Sequence, residues 1–150
     1  MADRGLDVEL ISATNLKKVN KSKMHAYVVA WIDPSVRVPG PVDKTNGSNP
    51  VWNYTITMAL EARTLSQTMH LNLELLGQGF LSTKPIGSVV VPLAELLQRG
   101  ASGCAAVAEF PEQPVILPSG EPQGTFSFVL RLKESPAMLA AAQSAQATAL

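Results

Sequence analysis

Lys17, Lys18, Lys21 and Lys23 place four ammonium groups within seven consecutive residues. Such a cluster suits an anionic surface, where each exposed lysine contributes about 1 kcal/mol, weakened by salt. A second stretch, Phe80-Leu81 with Lys84 close behind, pairs two large apolar side chains with a cation. Together these residues have the chemistry of an anionic-phospholipid contact, with lysines at the headgroups and Phe80-Leu81 dipping into the interface. The alternative is a solvated lysine loop, with Phe80 in the core. Arg37 and Lys44, which flank the third strand, are two further basic candidates, with no aromatic residue close to them in sequence as a partner.

Catalytic chemistry finds little support. His25 and His70 are the two side chains that titrate near neutrality, and they lie on different segments. Cys104 falls in a small apolar stretch, Ala101 to Ala108, and is expected to be a buried hydrophobe and a poor nucleophile. No Gly-x-Ser-x-Gly elbow, phosphate loop or paired metal-ligand motif is present. Glu74 and Glu95 read as surface charge. The expectation is a non-catalytic protein with no cofactor.

The chain has 150 residues, with 12 basic and 12 acidic side chains that cancel. A chain this long buries roughly 70% of its unfolded surface, enough for one ordinary core. Its neutral balance gives no global reason to bind nucleic acid. The lone cysteine cannot form an internal disulfide, which suits a reducing compartment. The first five residues carry no apolar signal region, and no apolar run reaches the roughly 18 residues of a spanning helix. The expected location is cytoplasmic, with peripheral contact at the plasma membrane.

These candidate groups must be positioned by strands. Leu6 to Ala13 alternates apolar and polar residues, as a half-buried strand does. Tyr27 to Ile32 is almost continuously apolar, which suits a central strand. Val36 to Val38 opens a third strand that Pro39, Gly40 and Pro41 interrupt, so an edge or a bulge is expected. Trp52 to Met58 is a fourth, with Trp52, Tyr54, Ile56 and Met58 on one face; Thr68 to Leu75 is a fifth. Ile86 to Val91 follows, then a helical turn over Leu93 to Gln98 stopped by Gly100. Cys104 to Phe110 and Gly124 to Lys133 complete eight strands, the last with Phe126, Phe128, Leu130 and Leu132 on one face. The pattern predicts an all-β, eight-stranded antiparallel sandwich over residues 1–134. Residues 135–150 are alanine-rich and uncharged, and read as a frayed helical or disordered tail.

The stretch Asn49-Pro50-Val51-Trp52-Asn53, set between these strands and followed later by Pro85-Ile86-Gly87, resembles the C2 domain. That module is one many proteins use to reach membranes or partner proteins. Asn49, Pro50, Trp52, Asn53 and Gly87 are expected to build the fold, with Trp52 as a large core anchor. Because the chain opens directly on Leu6 to Leu10 and then the lysine loop, it resembles the circularly permuted, type II-like C2 topology. The run Lys23-Met24-His25-Ala26-Tyr27 is similar to one in small plant C2 proteins linked to cold and defence responses.

The resemblance also exposes a departure. Calcium-binding members place aspartates in the first and third loops at one end of the sandwich, because the ion needs six to eight oxygens. Here His25 stands at one such position, and the others fall near Lys18 or Val19, Leu76, Gln78 and Lys84. The segment Leu76 to Lys84 has no carboxylate. No calcium site is expected. Two functional expectations follow: a protein-interaction adaptor using patches such as Val38 to Val42 or Pro114 to Pro118, or a calcium-independent module docking on anionic phospholipid.

Overall fold

The computed structural model describes residues 4–60 and 69–136. Alternation in β1 (Arg4–Thr14) buries Leu6, Val8 and Leu10 and leaves Asp7 and Glu9 half-buried on the other face. The apolar run of β2 (His25–Trp31) is buried from Val28 to Ala30. After a turn comes β3 (Val38–Pro39), and then β4 (Val51–Leu60). β5 (His70–Gln78) buries Leu71, Leu73 and Leu75, and β6 (Thr83–Pro92) follows across a tight turn. The short helix α1 (Ala94–Arg99) ends at Gly100 and leads to β7 (Ala106–Ile116) and β8 (Pro122–Leu132).

All pairings are antiparallel, in the order β3-β2-β5-β6-β7-β8-β1-β4. β6 and β7 meet at one residue pair, Ser88 with Ile116. There the ladder folds over into two four-stranded layers with the core between them. Gly87 marks this junction: a Cβ would stand 2.6 Å from Val115 Cγ1 and 2.7 Å from the Ile116 carbonyl oxygen. Only glycine lets the two backbones approach so closely. β1 lies between β8 and β4, the permuted, type II-like strand order. Phe126 and Phe128 fill the centre with ring centroids 5.0 Å apart, and Phe110 stacks on Phe128 at 4.9 Å.

Several expectations need correction. The third strand is confined to Val38–Pro39, because 33–36 are occupied by a turn. Its edge position agrees with the proline, which cannot donate to a ladder. In β4 the alternation breaks at Asn53, whose φ of 46° accompanies a register shift against Leu10 and Ser12. Asparagine tolerates this left-handed backbone, and the resulting bulge turns Tyr54 out while Trp52, Ile56 and Met58 stay packed on the same core. Trp52 is half-buried at the border of that core: its Nε1 donates to the Ala26 carbonyl at 3.1 Å, and its ring meets Phe126 edge-on at 5.7 Å. Tyr54 is exposed. Cys104 is exposed in the loop before β7, which starts two residues later than its alanine-rich sequence suggests. Val115 and Leu117 are buried, while Pro114, Ile116 and Pro118 are exposed, so the 114–118 segment presents alternate apolar residues and not a continuous run. The expected opening of β5 at Thr68 and the tail after residue 136 lie outside the described residues.

Arg4 ties the end of the sandwich that holds α1. Its guanidinium donates to the carbonyl oxygens of Gly100, of Cys104 at 2.8 Å and of Lys133 at 2.7 Å. Three carbonyls around one buried cation join α1, the following loop and the end of β8.

Candidate functional site

Strand register brings three loops to the end opposite Arg4. His25 at the start of β2 pairs with Gln78 at the end of β5, and Gln78 pairs with Thr83 at the start of β6. The first loop (residues 15–24) and the third (79–82) therefore emerge side by side. The second loop (40–50) joins them through a bridge between Asp43 and Ala26 and through hydrogen bonds from Ala13 N–H to Pro50 O and Leu16 N–H to Ser48 O. Asn49 Oδ1 accepts from Asn15 N–H at 2.9 Å, so the Asn-Pro motif staples the second loop to the first.

All four first-loop lysines are exposed. Lys84 pairs opposite Gly77 next to this end and is also exposed. Lys44 belongs here too, because the second loop folds over this end. Lys44 and Arg37 lie on either side of β3. Arg37 instead pairs with Glu74 at 3.2 Å and covers the Trp31 ring at 4.7 Å from its centroid. Its charge is already partnered. Six lysines thus share one end with two carboxylates, Asp43 and Glu121.

The third loop is a tight turn closed by Gly79 N–H on the Ser82 carbonyl at 2.9 Å. At its tip, Phe80 and Leu81 are 92% and 90% exposed. Phe80 is therefore not a core residue. The turn is held against the first loop by Asn20, whose buried amide donates to the Gly77 carbonyl at 3.3 Å. A Cβ on Gly77 would lie 2.5 Å from Asn20 Oδ1 and 2.8 Å from Val19 Cγ2, so glycine permits this contact.

Asp43 organises the second loop, a role sequence reasoning missed. Its Oδ1 accepts from Thr45 N–H at 2.8 Å, Thr45 Oγ1 at 3.0 Å and Asn46 N–H at 3.1 Å. Its Oδ2 accepts from Asn46 Nδ2 and Val51 N–H, both at 2.8 Å. Burial pushes this carboxyl up, but hydrogen bonds from the Asn46 side chain and the Thr45, Val51 and Asn46 amides outweigh it and hold it well below the usual carboxylate range. The signal was available: aspartate two residues before a threonine favours an Asx turn. At the other end, Asp33 is held low by the amide and hydroxyl of Ser35.

Among the described residues no three His, Cys, Asp or Glu side chains gather as metal ligands. The acceptor oxygens of Asp43 are committed to the loop itself. His25 and His70 sit at opposite ends of the β2–β5 pair, opposite Gln78 and Pro92 respectively, and Cys104 lies in the loop after α1. Among the described residues no helix is long and apolar enough to cross a membrane.

The C2 domain family profile matches residues 4–105. The chain belongs to the C2 domain family. It is 35% identical over 105 residues to Protein SRC2 of Glycine max, covering 66% of this chain and 36% of that one. It is 28% identical over 139 residues to the Protein SRC2 homolog of Arabidopsis thaliana, covering 89% of this chain and 42% of the relative. This C2 chain therefore spans less than half the length of the curated relatives it matches. Among solved structures, a C2 domain-containing protein from an elicitor-responsive gene superposes with a TM-score of 0.61 at 20% identity, covering 89% and 90% of the two chains. The C2A domain of plant Extended Synaptotagmin 1 gives 0.66 at 15% identity, covering 89% and 97%. These structural likenesses show the fold. The sequence relatives are plant proteins, in keeping with the resemblance drawn from the run Lys23 to Tyr27.

Proposed function

We propose that this C2 domain is a non-catalytic, calcium-independent module that docks peripherally on anionic phospholipid through its three-loop end. The observation that carries this reading is the exposure of Phe80 and Leu81 at the tip of a tight turn, flanked by exposed lysines. Two large apolar side chains held out in water need a surface to cover them. Six lysines at about 1 kcal/mol each, reduced by Asp43 and Glu121 and by salt, supply the long-range attraction. Phe80 and Leu81 then anchor the contact in the headgroup region. Histidine, leucine, glutamine and lysine stand where calcium-dependent relatives carry aspartate, which supports independence from the ion. The adaptor, the first of the two expectations, keeps only Pro114, Ile116 and Pro118 exposed in one of its candidate patches, a smaller apolar surface than the Phe80-Leu81 tip offers.

Co-sedimentation with anionic vesicles, in calcium and in chelator across a salt series, tests the reading. Equal binding in both conditions that fades with salt is expected. Replacing Lys17, Lys18, Lys21 and Lys23 by glutamate should abolish it. Binding in calcium alone would overturn the assignment of the loops, and no binding in either condition would sink the membrane reading altogether.

A further inference from the structure

The two outer strands of the ladder are protected very differently. β3 has two residues, one of them Pro39, so it offers almost nothing to pair with. β4 has ten residues and carries no proline and no charge: Val51-Trp52-Asn53-Tyr54-Thr55-Ile56-Thr57-Met58-Ala59-Leu60. Natural edge strands are usually blunted by charge, proline, shortness or bulges. β4 has a single such device, the bulge at Asn53, and it lies at one end. From Tyr54 to Leu60 the strand runs in regular register against β1, and among the described residues no other strand pairs with it. This stretch is rich in β-branched residues.

We propose that this outer edge of β4 pairs with the same edge of a second copy of the chain, antiparallel about Thr57. The register is self-complementary. Tyr54 faces Leu60 of the second copy, Thr55 faces Ala59, Ile56 faces Met58, and Thr57 faces Thr57. Residues of one parity meet residues of the same parity, so the face bearing Ile56, Met58 and Leu60 is continued across the junction. No like charges oppose. The nearest carboxylates, Asp7 and Glu9, lie one strand further in and are paired with Lys133 at 3.4 Å and Arg131 at 2.8 Å. An isologous junction of this kind closes on itself as a dimer.

The test uses the full chain carrying Cys104→Ser, which removes the exposed native thiol. Sedimentation equilibrium should show a concentration-dependent dimer. Thr57→Lys sets two ammonium groups directly opposite each other, each beside the Asp7 carboxylate that Thr57 Oγ1 reaches at 2.9 Å, and should weaken self-association about two- to fivefold. Circular dichroism and thermal melting of that variant separate loss of pairing from loss of fold. Thr57→Cys provides an independent readout, because directly opposed antiparallel residues have Cα atoms about 4.5–5.5 Å apart, within disulfide range. It should oxidise to a covalent dimer, whereas Thr55→Cys, whose own copy lies four residues away at about 14 Å, should not. A chain that stays monomeric at all concentrations would overturn the proposal. So would a dimer indifferent to Thr57→Lys, or one that crosslinks equally well through positions 55 and 57.

Discussion

Replacing Asp43 by asparagine removes a charge from a loop that carries Lys44 and should leave that loop poorly closed. The carboxylate accepts five hydrogen bonds. Asparagine keeps one acceptor oxygen, which can retain the contacts to Thr45 and to Asn46 N–H. Its amide nitrogen then takes the place of Oδ2 and turns donors toward two other donors, Asn46 Nδ2 and Val51 N–H. Asn46 is exposed and its Nδ2 keeps Thr45 Oγ1 at 3.2 Å, so the cost falls mainly on the part-buried Val51 N–H, and a loss of about 1–2 kcal/mol is expected. For a domain of this size that lowers the melting temperature by about 2–8 °C at neutral pH. The pH dependence has a definite sign. A carboxyl whose folded pKa is depressed contributes stability above its unfolded pKa near 4, and loses it as pH falls through the folded value. The gap between wild type and variant should therefore be full at pH 7 and narrow below about pH 4. Thermal melts of both proteins from pH 7 to pH 3 measure it. A variant melting within about 1 °C of wild type at pH 7 would refute the assignment of Asp43 as the organiser of this loop.

Three other substitutions probe separate links. Trp52→Ala should destabilise by about 2–3 kcal/mol in urea unfolding, less than for a fully buried tryptophan because the ring is half exposed; a change near zero would contradict its contacts with Ala26 and Phe126. Gly77→Ala forces a methyl against Asn20 and Val19 and should cost about 1–3 kcal/mol through overpacking, visible as a lower urea midpoint with an unchanged slope. Phe80→Ser with Leu81→Ser should leave stability within about 0.5 kcal/mol while removing most vesicle binding. A large loss of stability in that variant would show that the turn tip is packed, not free.

Much of the fold was legible because strand burial is written as alternation. β1, β5 and β8 bury the residues that their patterns select, and Pro39 marks an edge. The failures have local causes. Asn53 adopts a left-handed backbone that alternation cannot encode, so Tyr54 leaves the face that Trp52, Ile56 and Met58 share. Cys104 sits among alanines, and small apolar residues tolerate an exposed loop as readily as a core. The site was legible in its parts but not in its assembly. Lys17 to Lys23 stand out as a run, whereas Lys44 joins them only through the Ala26–Asp43 bridge, and Lys84 only because β2 pairs with β5, His25 meeting Gln78 from more than fifty residues away. The role of Asp43 is hidden in the sequence because one of its donors, Val51 N–H, lies eight residues on and reaches the carboxylate only when the loop closes.

β4 starts at the lysine-bearing end and runs away from it. Antiparallel pairing of two copies about Thr57 therefore turns their loop ends to opposite poles. Six residues of strand separate Val51 from Thr57 in each copy, so the poles stand on the order of 40 Å apart, before the loops themselves are added. Such a particle cannot set both lysine ends on one flat bilayer. It would hold two surfaces facing each other with a gap of about its own length, and its signature in a vesicle suspension would be clustering instead of simple coating.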